Sequence, residues 1–111
     1  MKLNAKDIET GFLYQTSDKH YRAVLAVKGD FLIYVASLGA VTLNLANPQE
    51  IMPFDNQPFK KCQIATFAKK DYQLFSANAT QENIAIKHAL NDKQLADITL
   101  QCNAKAAIAT L

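Results

Sequence analysis

Apolar residues recur at every second position through the first 46 residues, in short runs separated by turn chemistry, and this alternation predicts strands. A polar lead-in, Asp7 to Thr10, gives way at Gly11 to a first strand, Phe12 to Thr16. Ser17-Asp18-Lys19 then supplies side chains that can bond the local backbone in a turn. In a second strand, His20 to Lys28, Tyr21, Ala23, Leu25 and Val27 share one face, and His20, Arg22, Val24, Ala26 and Lys28 the other. Gly29-Asp30 predicts a tight hairpin with glycine at positive φ. Phe31 to Ser37 is apolar on both faces, so the third strand is expected to be the most buried. Leu38-Gly39 turns the chain again, and Val41, Leu43 and Leu45 alternate with Thr42, Asn44 and Ala46 in a fourth. Four antiparallel strands in this order make a β-meander, which has to curl or be covered to bury its face.

The pattern changes after residue 46. Pro48, Pro53 and Pro58 all fall in residues 47–58, which breaks helices and central strands alike and predicts an ordered loop pinned to the core by Ile51, Met52 and Phe54. Ile64, Phe67, Ala68, Tyr72 and Phe75 then recur at helical spacing, although Asp71 to Phe75 also reads as a strand. Thr80 can cap a helix over Gln81 to Leu90, and Asn91 or Asp92 a second, whose face is Leu95, Ile98, Cys102, Ala106 and Ala109. Ile84, Ile86 and His88, like Ile98, Leu100 and Cys102, alternate as well and would suit a hairpin, but the alanine content favours helices. The fold expected is α+β. It is a single domain, 1–111, with a four-stranded antiparallel β-meander (1–46) of SH3-like or small-barrel type, a proline-bearing loop (47–58), and a mainly helical or mixed remainder (59–111).

Composition narrows the class without naming an activity. Half of the 111 residues are apolar, enough for a core without a staple. Cys62 and Cys102 have no partner at metal-ligand spacing and read as reduced, half-buried side chains, with a disulfide as the alternative. Charges in Met1 to Asp7 occupy the place of a signal's apolar core, and the longest apolar run, Phe31 to Ala46, is interrupted by polar residues, so the expectation is a cytoplasmic protein without a membrane span. Net charge is +2, and residues 56–78 carry Lys60, Lys61, Lys69 and Lys70 against Asp71 alone. The whole basic excess sits there, as a solvated face or a basic patch.

Catalytic chemistry has no visible home. Ser17, Asp18 and His20 are adjacent in sequence without the elbow or oxyanion signature of a triad, and they read as a polar turn before a strand. Cys62 and His88 have no flanking signature of a thiol–base pair, and three glycines do not make a phosphate-cradling loop. Neither an enzyme nor a cofactor is expected. Binding is better represented. His20-Tyr21-Arg22 sets an aromatic ring beside cations, and the lysine pairs Lys60-Lys61 and Lys69-Lys70 stand near Tyr72, the elements that small barrels use to stack bases and neutralise phosphates. The competing reading places the tyrosines in the core and the cations in solvent. Met52 and Phe54 on the proline loop are candidate anchors for a protein partner, unless they too are core.

Residues 5 to 37 carry Ala5-Lys6-Asp7-Ile8, Gly11-x-Leu13-Tyr14, His20-Tyr21-Arg22-x-Val24-Leu25 and Ile33-Tyr34, followed later by Phe67-Ala68. In these the chain resembles small bacterial and phage-borne proteins built on a curled, SH3-like β-meander, which often close with a Phe-Ala pair on a helix after a proline-bearing loop. It departs from them where they carry Arg-Gly-Gly-Asn after the third strand, since Ser37-Leu38-Gly39-Ala40 stands here. The resemblance implies a phage or mobile-element setting and a binding role. The function expected is therefore a non-enzymatic module docking on a macromolecular partner, as phage-encoded inhibitors of host complexes, anti-CRISPR proteins among them, or immunity proteins do. The alternative is a small nucleic-acid-binding protein using the lysine-rich segment with His20, Tyr21 and Arg22.

Overall fold

In a computed structural model of the chain, residues 2–18, 20–37, 54, 57–76 and 84–111 are described. Three of the expected strands form where alternation places them: β1 (Phe12–Thr16), β2 (Tyr21–Lys28) and β3 (Phe31–Ala36). The hairpin between β2 and β3 closes on the Lys28–Phe31 pair. Gly29 takes φ +60° and Asp30 stays negative, as in a type II′ turn with glycine first. A register shift between Val24 and Ala26 marks a bulge, which lets Leu25 join one face and Val27 the other. The expected strand over residues 41–46 lies outside the described residues, as do Ile51 and Met52 of the loop.

Downstream, sheet edges override helical spacing. Residues Phe59–Gln63 form β4 against β3, and only Ile64–Ala68 is helical (α1). The helical face expected across 64–75 stops there, because β5 (Tyr72–Gln73) takes a place on β1 and β6 (Phe75–Ser76) pairs with β7 (Ile84–Ala85). The helix expected over 81–90 is absent among the described residues of that span. Residues β7 and β8 (His88–Ala89) are short strands, with β8 on β1 rather than in a hairpin with residues 98–102. A sheet edge satisfies backbone groups that alanine propensity alone cannot. The main sheet runs β4-β3-β2-β1-β5, with β8 also on β1, and every pairing is antiparallel.

The last third keeps its expected helix. Asn91 caps α2 (Asp92–Gln101): its side chain accepts from the Gln94 amide at 2.7 Å, and the Gln94 side chain accepts from the Asn91 amide at 3.0 Å. Asn103, at φ +55°, ends α2 with the Asn103 amide on the Leu100 carbonyl and the Ala104 amide on the Thr99 carbonyl. This left-handed residue resets the helical phase before α3 (Lys105–Ala109). The expected inward stripe therefore holds at Leu95, Ile98 and Cys102 but fails at Ala106 and Ala109, and Ala104, Ala107 and Ile108 pack instead.

Two cores lie on the two faces of the sheet. One joins Leu13, Tyr21, Ala23, Ile33 and Val35 to Phe54 and to Ile98, Cys102 and Ala104. The other joins Tyr14, Val24, Leu32 and Tyr34 to Leu3, Ile8, Phe67, Ala68 and Tyr72. Each buried aliphatic or aromatic side chain here contributes about 1.5–3 kcal/mol relative to exposure. Cys62 packs with the second core and Cys102 lies in the first, so the sheet separates the two thiols and no disulfide joins them.

Candidate functional site

Three strands and α1 bring Arg22 into an aromatic setting. Antiparallel pairing puts Tyr14 opposite Arg22, and the same face carries Tyr34 on β3 and Tyr72 on β5. The Arg22 guanidinium lies 4.9 Å from the Tyr34 ring centre, 5.3 Å from Phe67 and 6.0 Å from Tyr72. Its Nη1 donates to the Tyr72 hydroxyl at 3.2 Å, and that hydroxyl donates to the Phe67 carbonyl at 2.6 Å. Phe67 in turn meets Tyr34 and Tyr14 edge to face, at 5.0 and 5.6 Å between centroids. Burial pushes the Tyr72 hydroxyl up to about 12, although Arg22 opposes the shift. Burial also raises the Cys62 thiol against the opposing charge of Arg22, which favours its neutral form. His88 sits across from Leu13 on the other core's face, away from Cys62.

The other candidates scatter. Tyr21 and Phe54 are buried in the first core, where Phe54 is 0% exposed and accepts from the Cys102 thiol at 3.1 Å. Phe54 itself thus packs in the core, as expected of it, and does not present a ring to a partner. Met52 lies outside the described residues. His20 belongs to the β1–β2 turn, its amide donating to Thr16 Oγ1 at 3.1 Å while its carbonyl accepts from the Thr16 amide at 2.8 Å. The same Thr16 hydroxyl donates to Asp18, whose carboxyl is held low first by that bond and further by His20 and Lys70. Ser17, Asp18 and His20 are thus tied into a turn.

The two lysines of β4 split between the faces of the sheet. Lys69 and Lys70 are exposed after α1, with Lys70 acting on Asp18 and Asp71 at the β1–β2 turn. On β4, Lys60 is opposite Tyr34 and Lys61 opposite Ile33, so successive residues point to opposite faces. Lys61 Nζ stands 5.1 Å from the ring centre of Phe31. Phe31 is 41% exposed and Phe59 36%, and both lie on the face of Ile33 and Val35, flanking Lys61. Alternation does not announce this β3–β4 edge, because Phe59 to Gln63 carries lysines at adjacent positions and gains its strand character from β3. Phe31 directly after a tight hairpin, followed by a second Phe beside two lysines, was the available signal.

No family model, curated protein or solved structure matches the chain. Among the described residues no group of His, Cys, Asp and Glu could hold a metal, and no helix is long and apolar enough to cross a membrane.

Proposed function

We propose that the chain is a non-enzymatic binding module of SH3-like type that docks on a protein partner through the β3–β4 corner. The observation that carries this is the exposure of Phe31 and Phe59 on one face of the β3–β4 pair, on either side of Lys61. Nucleic-acid binding needs cations within roughly a Debye length of one phosphate track, about 8–10 Å at moderate salt. Here Arg22 is engaged by Tyr72 and the rings, and Lys60 and Lys61 face opposite ways. Phe31 and Phe59 are aromatic anchors of the type that dominates protein interfaces, and Lys61 between them favours an acidic partner surface. The strand order β4-β3-β2-β1-β5, with a short helix between β4 and β5, supports the SH3-like reading. The resemblance supplies the setting, a mobile-element inhibitor of a host protein complex.

Polarisation titrations against short single- and double-stranded DNA and RNA at two salt concentrations test the choice of partner class. Docking on protein expects no binding at low salt. Micromolar binding that weakens steeply with salt, and is lost in the Lys60→Ala/Lys61→Ala/Lys69→Ala/Lys70→Ala variant, overturns it in favour of nucleic acid.

A further inference from the structure

The main-chain polarity of β4 can be read from one bond. The Ile64 amide donates to the Asp30 carbonyl at 2.8 Å, which makes Ile64–Asp30 a hydrogen-bonded pair of the antiparallel ladder. Alternation then makes Cys62–Leu32 and Lys60–Tyr34 hydrogen-bonded pairs too. Phe59, Lys61 and Gln63 therefore turn their amides and carbonyls away from β3, and among the described residues β4 has no second neighbour. An edge of this kind is a template for another strand.

The two lysines decide what fits. Pairing β4 antiparallel with β4 of a second copy, about the middle of the strand, sets Lys61 against Lys61 or Lys60 against Lys60. Like charges directly opposite are destabilising, so the lysines discourage self-pairing. The same charges favour a strand with two adjacent acidic residues, one for each face of β4. A β-branched or aromatic residue next to them would meet Phe59, whose ring is exposed.

We infer that β4 accepts an extended acidic segment of the protein partner as an added antiparallel strand, hydrogen-bonded to Phe59, Lys61 and Gln63 and paired by charge to Lys60 and Lys61. This rests on the docking reading above and adds the form of the partner's segment. Main-chain bonds supply the affinity and the charge pair supplies the selectivity.

The test uses the full isotope-labelled chain and a synthetic peptide of about seven residues, long enough to span β4, with two adjacent glutamates among valine and threonine. Strand addition expects the amides of Phe59, Lys61 and Gln63 to shift and gain protection from exchange. A matching peptide with lysines for glutamates binds at least about fivefold more weakly, the equivalent of one net hydrogen bond. The Lys60→Glu/Lys61→Glu variant reverses that preference. Equal binding of both peptides, or shifts confined to other strands, overturns the inference. Lys61→Pro separates it from the docking reading, because it deletes an outward amide without removing a β3–β4 bond. A captured partner that still binds the folded Lys61→Pro variant but not Phe31→Ser/Phe59→Ser overturns strand addition and leaves docking intact. A partner indifferent to Phe31→Ser/Phe59→Ser, with the peptide still protecting β4 amides, overturns the docking reading instead.

Discussion

Arg22 and Tyr72, fifty positions apart in sequence, meet through a 3.2 Å hydrogen bond that ties β2 to β5 over the Phe67 ring. The pair is built from a strand residue whose side chain reads as solvent-facing and a tyrosine whose spacing reads as helical. Its effect is to close the second core with a cation held over rings, so that, among the described residues, a charge stands at the rim of an apolar cluster without a carboxylate partner.

Replacing Arg22 by Met is expected to lower stability by about 2 kcal/mol, from a partly desolvated cation–π contact and one charged hydrogen bond. Arg22→Lys recovers only part, since an ammonium cannot stack and donate in the same plane. Denaturant midpoints at constant slope measure both. An unchanged midpoint for Arg22→Met would show the contact to be passive.

Tyr14 and Tyr72 set an alkaline limit. Burial raises both hydroxyls from 10.0 to about 12 in the folded chain. A raised folded value makes the neutral form the stable one, so this contribution is complete below pH 10 and is lost as pH rises towards 12. Tyr14 donates to the Asp7 carbonyl at 2.7 Å and accepts from the Glu9 amide at 2.9 Å, so its loss also frees the short 3-10 helix Ala5–Asp7. The Tyr14→Phe/Tyr72→Phe variant is expected to be less stable at neutral pH, by about 1 kcal/mol per lost hydroxyl. Its stability should also fall less steeply through the alkaline range, as read by unfolding titrations across pH.

His88 sets the acid side. Burial lowers its imidazole below the ordinary 6.5, which favours the neutral ring in the folded state. Its contribution is present above 6.5 and is lost as pH falls through that value towards the folded one, because the unfolded chain takes the proton first. His88→Gln is expected to flatten this acid-side decline, and β8 amides are expected to exchange first in the wild type below pH 6.5. An identical decline in the variant places the acid sensitivity elsewhere.

Asn91→Ala removes a reciprocal cap and is expected to cost about 1 kcal/mol. Asn91→Asp or Asn91→Ser keeps most of it. Thermal midpoints of the three variants provide the check.

How far the sequence could be read depends on what each segment pairs with. β1, β2, the Gly29 hairpin and β3 were legible because alternation, turn chemistry and nearest-neighbour pairing all agree there. The Asn91 cap and the stripe through Cys102 were legible for the same local reason. Phe59 to Gln63 was not, since its strand character comes from the open edge of β3 and not from its own pattern, which has lysines at adjacent positions. Ile84 to Ala89 failed likewise, with β1 and β6 supplying partners that no local signal announces. Among the site residues, the burial of Tyr21 and Tyr34 agrees with the competing reading that places these tyrosines in the core, while the closeness of Arg22 to Tyr72 depends on contacts fifty positions apart. The exposed pair Phe31 and Phe59 becomes visible only once β4 is known.

The most direct measurement of docking at the β3–β4 corner is site-specific photo-crosslinking of the full chain in a cell extract. The crosslinker is placed at Gln63 on β4, or at exposed Lys105 on α3. A discrete protein adduct from position 63, absent from position 105 and lost when Phe31→Ser/Phe59→Ser is added, is the predicted result. An adduct from position 105 and none from position 63, or one at 63 indifferent to the two phenylalanines, contradicts it.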